Sequence, residues 1–333
     1  MSDRTRWGIL STARIAREKV IPALFKAANV EVTAIASRDE RTAREAAAAL
    51  RIPRAHGSYE ALLDDPEVDV VYIPVPNHLH VDWSLRALEA GKHVLVEKPL
   101  GMDAEDAERL VSAAAESPRL KVMEGFMYRF HPQWIEAKRV VDEGEIGRLQ
   151  QVHSHFSYFK LDPDNIRNQP DAGGGGLMDI GCYDISLSRY LFGGEPLRVV
   201  ATVDLDPGLG VDRLVSALLD FGAGRSATFS CGTQMLRHQR AQAFGSEGRI
   251  ELEIPFNAPQ DGPCRLWRET DEGTFERVFD RVDQYTLQAE AFSRAVLDDT
   301  DVPLPLTDGL ANMRVLDAIK ASSRQDDWVA VPS

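Results

Sequence analysis

Through its first 125 or so residues the chain alternates short apolar runs with alanine-rich stretches of helical period, and this rhythm constrains the fold most. Arg6–Ser11, Val30–Ser37, Val68–Pro74 and Lys92–Val96 are β-branched, apolar runs of strand length. Between them, Arg14–Asn29, Asp39–Leu50 and His78–Ala90 carry apolar residues at helical spacing, and Met102–Ser117 adds a helix before a strand at Leu120–Glu124. Asp39 and Asn77 sit where N-caps belong, while Asn29 and Gly91 sit where helices stop. Such alternation demands right-handed crossovers, which build a parallel, doubly wound sheet. Ligands of open α/β sheets bind outside the carboxyl ends of the strands, so those ends hold the candidate sites.

After about residue 125 the pattern changes. Alternating segments at Gly147–Leu161, Leu197–Asp204, Arg213–Phe221, Ser226–Thr233, Gln239–Phe244 and Arg249–Glu253 are separated by turns such as Gly222-Ala223-Gly224. They predict a mainly antiparallel sheet, with helices near Gly176–Leu191, Gln284–Asp298 and Thr307–Ser322 covering one side. The expected fold class is α/β. Residues 1–125 form a Rossmann-type nucleotide-binding domain, and 126–333 an α+β domain with a large open-faced sheet. An uncovered apolar sheet face is commonly buried by self-association, so a homo-dimer or homo-tetramer through that face is expected.

Thirty-eight Lys and Arg against 52 Asp and Glu give a net charge of −14, which argues against nucleic acid or anionic membrane as a partner. Basic clusters in so acidic a chain must serve local anions. Cys182, Cys231 and Cys264 are too scattered for a disulfide framework or a CxxC site, and no His/Cys spacing suits a metal. The polar start Met1–Arg6 lacks a signal sequence and no apolar stretch is long enough to span a bilayer, so a cytoplasmic location is expected.

The turn Ser11-Thr12-Ala13-Arg14-Ile15 after the first strand lies where a dinucleotide fingerprint belongs, although Ser11, Ala13 and Ala16 stand at its glycine positions. Small residues still allow close backbone approach, and a helix N-terminus still offers N–H groups to a pyrophosphate. The second strand ends in Ser37-Arg38, followed by Arg41 and Arg44, where a NAD site usually carries an acidic side chain. A guanidinium suits a 2′-phosphate, so NADP is expected over NAD. Pro74, Asn77 and His80 follow the third strand, and Glu97-Lys98-Pro99 follows the fourth. A lysine at the end of a buried strand is costly unless it meets a charge or a reacting proton.

The series Ser37-Arg38, Pro76-Asn77-His78-Leu79-His80, Glu97-Lys98-Pro99 and Gly173-Gly174-Gly175-Gly176-Leu177-Met178-Asp179-Ile180-Gly181-Cys182-Tyr183 resembles the Gfo/Idh/MocA family of glucose–fructose oxidoreductases and inositol dehydrogenases. Within it, the chain is most similar to the NADP-dependent D-xylose 1-dehydrogenase and dihydrodiol dehydrogenase group. The resemblance implies that Lys98 and Tyr183 form the catalytic pair, that Asp179 positions substrate, that Pro99 is cis, and that Ser11 to Ile15, Ser37, Arg38, Arg41, Pro74, Asn77, His80, Glu97 and Lys98 line the cofactor. It further implies an aldose or diol substrate oxidised with NADP. Alternatives are an aldose–aldose oxidoreductase that retains its nucleotide, a sugar ketoreductase, and a non-catalytic NADP-sensing regulator.

Asp179 and Tyr183 are four apart in a helical stretch and so share a face. A phenol is a poor base at neutral pH; an adjacent ammonium stabilises its phenolate, which suits Tyr183 to proton transfer. The glycine run before them lets the backbone pass close to a ligand. Arg129, in the aromatic stretch Phe126–His131, is a candidate sugar contact. His153, His155, Phe156, Tyr158 and Lys160 alternate along a strand; one set lines the cleft, with Phe156 the expected substrate contact.

Overall fold

The computed structural model describes residues 3–332. The chain divides into two compact units, residues 1–127 with 284–310, and residues 128–283 with 311–333. The first boundary lies close to residue 125, but the return of 284–310 to the first unit departs from a simple N-terminal and C-terminal split.

In the first unit, β1 (Thr5–Ile9), β2 (Val30–Ala36), β3 (Arg54–His56), β4 (Val70–Ile73), β5 (His93–Val96) and β6 (Val122–Glu124) form a sheet of order β3-β2-β1-β4-β5-β6. Every pairing among them is parallel. Ile9, Ile35, Val70, Val71, Val94 and Val96 are fully buried, as strands covered on both faces require. The helix Glu40–Leu50 starts as expected, Asp39 accepting a hydrogen bond from the Thr42 N–H. Gly91, at φ +75°, takes the left-handed position past the helix His80–Glu89. Asn77 does not cap that helix; it opens the short 3-10 turn Asn77–Leu79.

The first helix is widened into a π-turn over Ala16–Val20 before Ile21–Leu24. Pro22 has no N–H to give, and the Ile21 N–H instead bonds the Ala16 carbonyl. The helix Gln284–Leu297 packs on β1 and β2: the Thr5 hydroxyl donates to Ser293 Oγ at 2.7 Å, and Trp7 meets Phe292 edge-on at 5.8 Å. These tertiary contacts, not sequence distance, assign it to the first unit.

The second unit is built on β7 (Leu149–Phe159), β8 (Arg198–Leu205), β9 (Asp212–Gly222), β10 (Arg225–Gly232), β11 (Gln234–Gly245), β12 (Gly248–Leu252), β13 (Cys264–Thr270), β14 (Gly273–Phe279) and β15 (Val329–Ala330). Their order is β14-β13-β12-β11-β7-β10-β9-β8-β15, and the β7–β10 pairing is parallel while the others are antiparallel. One face carries the buried helix Cys182–Phe192. On the other face, His153 bonds Thr228 and His155 bonds Ser230.

Candidate active site

The nucleotide end belongs to the first unit. Ser11 Oγ accepts the Ala13 N–H at 3.0 Å, tightening the turn through which β1 enters the first helix. Arg14 in that turn pairs with Glu18 at 2.8 Å. Beyond β2, Asp39 turns its carboxylate onto Thr42, Arg44 is paired with Glu40, and Arg41 lies 3.9 Å from Glu45. Arg38, by contrast, is exposed and has no hydrogen bond or ion pair among the described residues. The residue just past Ser37 at the end of β2 is thus a permanent cation. These residues fit a dinucleotide of the NAD(P) type.

Glu97 and Lys98 follow β5 directly, both half-buried, and the Lys98–Pro99 peptide is cis, as the resemblance implied. Glu97 Oε1 accepts the Tyr72 hydroxyl at 2.6 Å, which ties the ends of β4 and β5 together. Pro74 is buried one residue past β4.

His80 is not placed as the sequence suggested. It is 1% exposed, with Nδ1 at 2.7 Å from the Pro99 carbonyl and Nε2 at 2.9 Å from the Val75 carbonyl. Both ring nitrogens are taken up by the chain's own backbone, so His80 braces the loops around Lys98. Burial pushes its imidazole down to about 4, against the pull of the two carbonyls, with Lys98 and His78 lowering it further.

The second unit carries Asp179 and Tyr183. Asp179 lies in the π-turn Leu177–Gly181, which runs straight into the helix Cys182–Phe192 carrying Tyr183. The turn keeps both residues one helical turn apart on the same side, and π-turns recur at functional sites. Tyr183 is 5% exposed, its ring 5.2 Å from Phe256, 5.8 Å from Tyr128 and 6.0 Å from Phe156. That aromatic packing fixes the phenol's direction.

Asp179 Oδ2 accepts two hydrogen bonds that sequence reasoning did not anticipate. The Tyr158 hydroxyl donates at 2.7 Å and Arg167 Nε at 2.9 Å. Burial, reinforced by the Asp179 charge, raises the Tyr158 phenol far above its ordinary value, so it remains a donor. Asp179 holds Arg167 firmly protonated.

Phe156 is 4% exposed, stacks on Phe256 at 5.2 Å and packs against the Tyr183 ring. Of the alternating set on β7, Phe156 and Tyr158 lie on the side of Tyr183 and Asp179, while His153 and His155 lie on the other face. Tyr128 and His131 are core residues and Arg129 lies 3.8 Å over the Tyr190 ring; Phe126, in the first unit, is equally buried. The glycine run clears the way for the chain itself. A Cβ on Gly174 would lie 2.6 Å from the Arg167 carbonyl, and one on Gly175, at φ +111°, would lie 2.0 Å from Asp212 Oδ1.

Residues 5–126 match the model of an oxidoreductase family with an NAD-binding Rossmann fold, and residues 134–251 match the Gfo/Idh/MocA C-terminal domain. A D-xylose 1-dehydrogenase (NADP(+)) from Haloferax volcanii is 41% identical, the match covering 95% of this chain and 97% of that protein. The chain belongs to the Gfo/Idh/MocA oxidoreductase family. Among solved structures, a 3-ketoreductase from Actinomadura kijaniata in complex with NADP and TDP-benzene superimposes with a TM-score of 0.89 at 34% identity, covering 96% of this chain and 98% of that one. An aldose-aldose oxidoreductase from Caulobacter crescentus reaches a TM-score of 0.91 at 26% identity, covering 98% and 99%. The first unit of this family member is thus an NAD(P)-binding domain, and its relatives include a D-xylose dehydrogenase and an aldose-aldose oxidoreductase. No helix among the described residues is long and apolar enough to cross a membrane.

Proposed function

We propose that this family member is an NADP-dependent dehydrogenase that oxidises an aldose, or a related diol, at the hydroxyl-bearing carbon; for an aldose this is C1 and the product is the lactone. The observation that carries the reading is the Asp179–Tyr183 pair on one helix side, its carboxylate held by two donors and its phenol set in an aromatic wall. Bound NADP supplies the hydride acceptor. Tyr183 takes the proton of the reacting hydroxyl, Asp179 accepts a hydrogen bond from a neighbouring hydroxyl, and Lys98 supplies the ammonium that favours the phenolate. Arg38 and Ser37 are assigned to the 2′-phosphate of NADP. Self-association through the sheet face opposite the helix Cys182–Phe192 is part of the same proposal, since that face carries the His153–Phe244 and His155–His238 ring pairs, with His238 exposed.

The test is NADP reduction with a panel of aldoses and diols. Lys98→Met and Tyr183→Phe should each lose most of kcat while NADPH binding is retained. Unchanged turnover in both variants overturns the assignment. A second reading, reduction of a keto group on a nucleotide-linked sugar, draws on the likeness to the 3-ketoreductase. It is separated by supplying NADPH with a nucleotide-linked keto sugar: turnover there, with none on free aldoses, favours it. Purification with bound nucleotide and turnover without added NADP would point instead to aldose–aldose exchange.

A further inference from the structure

We propose that Arg167 is a positioning residue for this site: its guanidinium offsets the charge of Asp179 and thereby leaves the Tyr183 hydroxyl able to release its proton. The inference rests on the reading of Tyr183 as the proton acceptor. Residues four apart on a helix have Cβ atoms about 5–6 Å apart. A bare carboxylate at that distance opposes formation of a phenolate, because like charges disfavour one another. Asp179 therefore stands in conflict with Tyr183 unless a cation accompanies it.

Tyr158 cannot be that cation. It is a neutral phenol, kept protonated by its burial and by Asp179. Arg167 is permanently charged, its Nε reaches the same Oδ2, and its field acts on the Tyr183 hydroxyl as well as on Asp179.

An arginine–carboxylate pair with a side chain 43% exposed is ordinarily worth little, since both partners roam. Here the backbone of Arg167 is clamped. Its N–H donates to Asn165 Oδ1 at 3.1 Å, its carbonyl accepts the Gly175 N–H at 2.8 Å, and Gly174 packs against that carbonyl too closely for any side chain. The glycine run thus seats the arginine that serves the aspartate five residues downstream of Gly174. A chance surface pair needs no such seat.

The experiment is the pH dependence of kcat/KM for aldose oxidation, joined to ultraviolet difference titration of tyrosinate in the cofactor-free protein with Tyr183→Phe as blank. Arg167→Gln should move the rising limb, and the Tyr183 titration, upward by about one pH unit. Arg167→Lys should restore most of the original position. In Arg167→Gln/Asp179→Asn, which lacks both charges, the limb should return to or below that of the wild type. Asp179→Asn alone should move the titration down, and it carries the test if Arg167→Gln does not fold. NADPH binding reports that each variant is folded. An unmoved limb and titration in Arg167→Gln, while Tyr183→Phe abolishes turnover, would overturn the role of Arg167. Full turnover in Tyr183→Phe would remove the reading beneath it as well.

Discussion

Acidification should weaken the first unit through His80. The ring is fully enclosed and faces two carbonyl acceptors, so a neutral imidazole serves one of them and protonation would serve both. Against that gain stand burial and the neighbouring Lys98 and His78, and burial dominates. The sign follows: the native ring binds its proton at about 4, the unfolded ring at 6.5, so the unfolded state takes up the proton first and stability falls as pH drops through that window. Linkage gives a loss of roughly 2 kcal/mol between pH 7 and pH 5, and ~3.4 kcal/mol once both forms are protonated. A glutamine at this position stays neutral. His80→Gln should therefore lose about 1–2 kcal/mol at pH 7 from the broken bridge, yet show a flatter slope on acidification. Hydrogen exchange of the β4 and β5 amides between pH 7 and pH 5 measures this within the first unit. Nitrogen-15 shifts showing both ring nitrogens protonated at pH 7, or parallel slopes in wild type and variant, would refute the reasoning.

Two further outcomes are expected. Arg38→Ala should raise the Kd for NADP by roughly 10–100-fold, the worth of a charge-assisted contact, and leave NAD affinity unchanged; calorimetric titration with both nucleotides checks it, and an equal loss for both excludes a 2′-phosphate contact. Asp184 is fully enclosed, and burial pushes its carboxyl well above the usual range against the opposing Ser154 hydroxyl. A raised carboxyl stabilises the fold in acid and loses that stability as pH rises, by about 1.4 kcal/mol per pH unit above ~4 until the native group itself titrates. Asp184→Asn should be more stable than wild type at pH 7 in urea melts, with the difference shrinking towards pH 4.

Elements whose apolar residues repeat locally were legible. The β1, β2, β4 and β5 runs stand out because a parallel strand covered on both faces is apolar throughout. Asp39 as a cap needs only three residues to declare itself. Elements lacking such a pattern were passed over: β3 has three half-buried residues, and β14 is exposed at every position but Phe279. The helix Pro132–Asp142, opened by His131 and Pro132, was hidden by the aromatic stretch before it.

The candidate residues divide along the same line. Asp179 and Tyr183 declare themselves because a helix converts a spacing of four into one face, and that relation survives even the π-turn between them. Lys98 and Arg38 declare themselves because charge at the end of an apolar strand is conspicuous. Tyr158 and Arg167 do not: the first looks like one of several aromatics on a strand, the second lies in the irregular segment 160–170, which has no period to read. Only tertiary structure decided that both donate to one oxygen of Asp179, that the glycine run seats Arg167, and that His80 faces inward. Periodicity reports which side of its own element a residue occupies; which distant group stands opposite is set by how the elements pack.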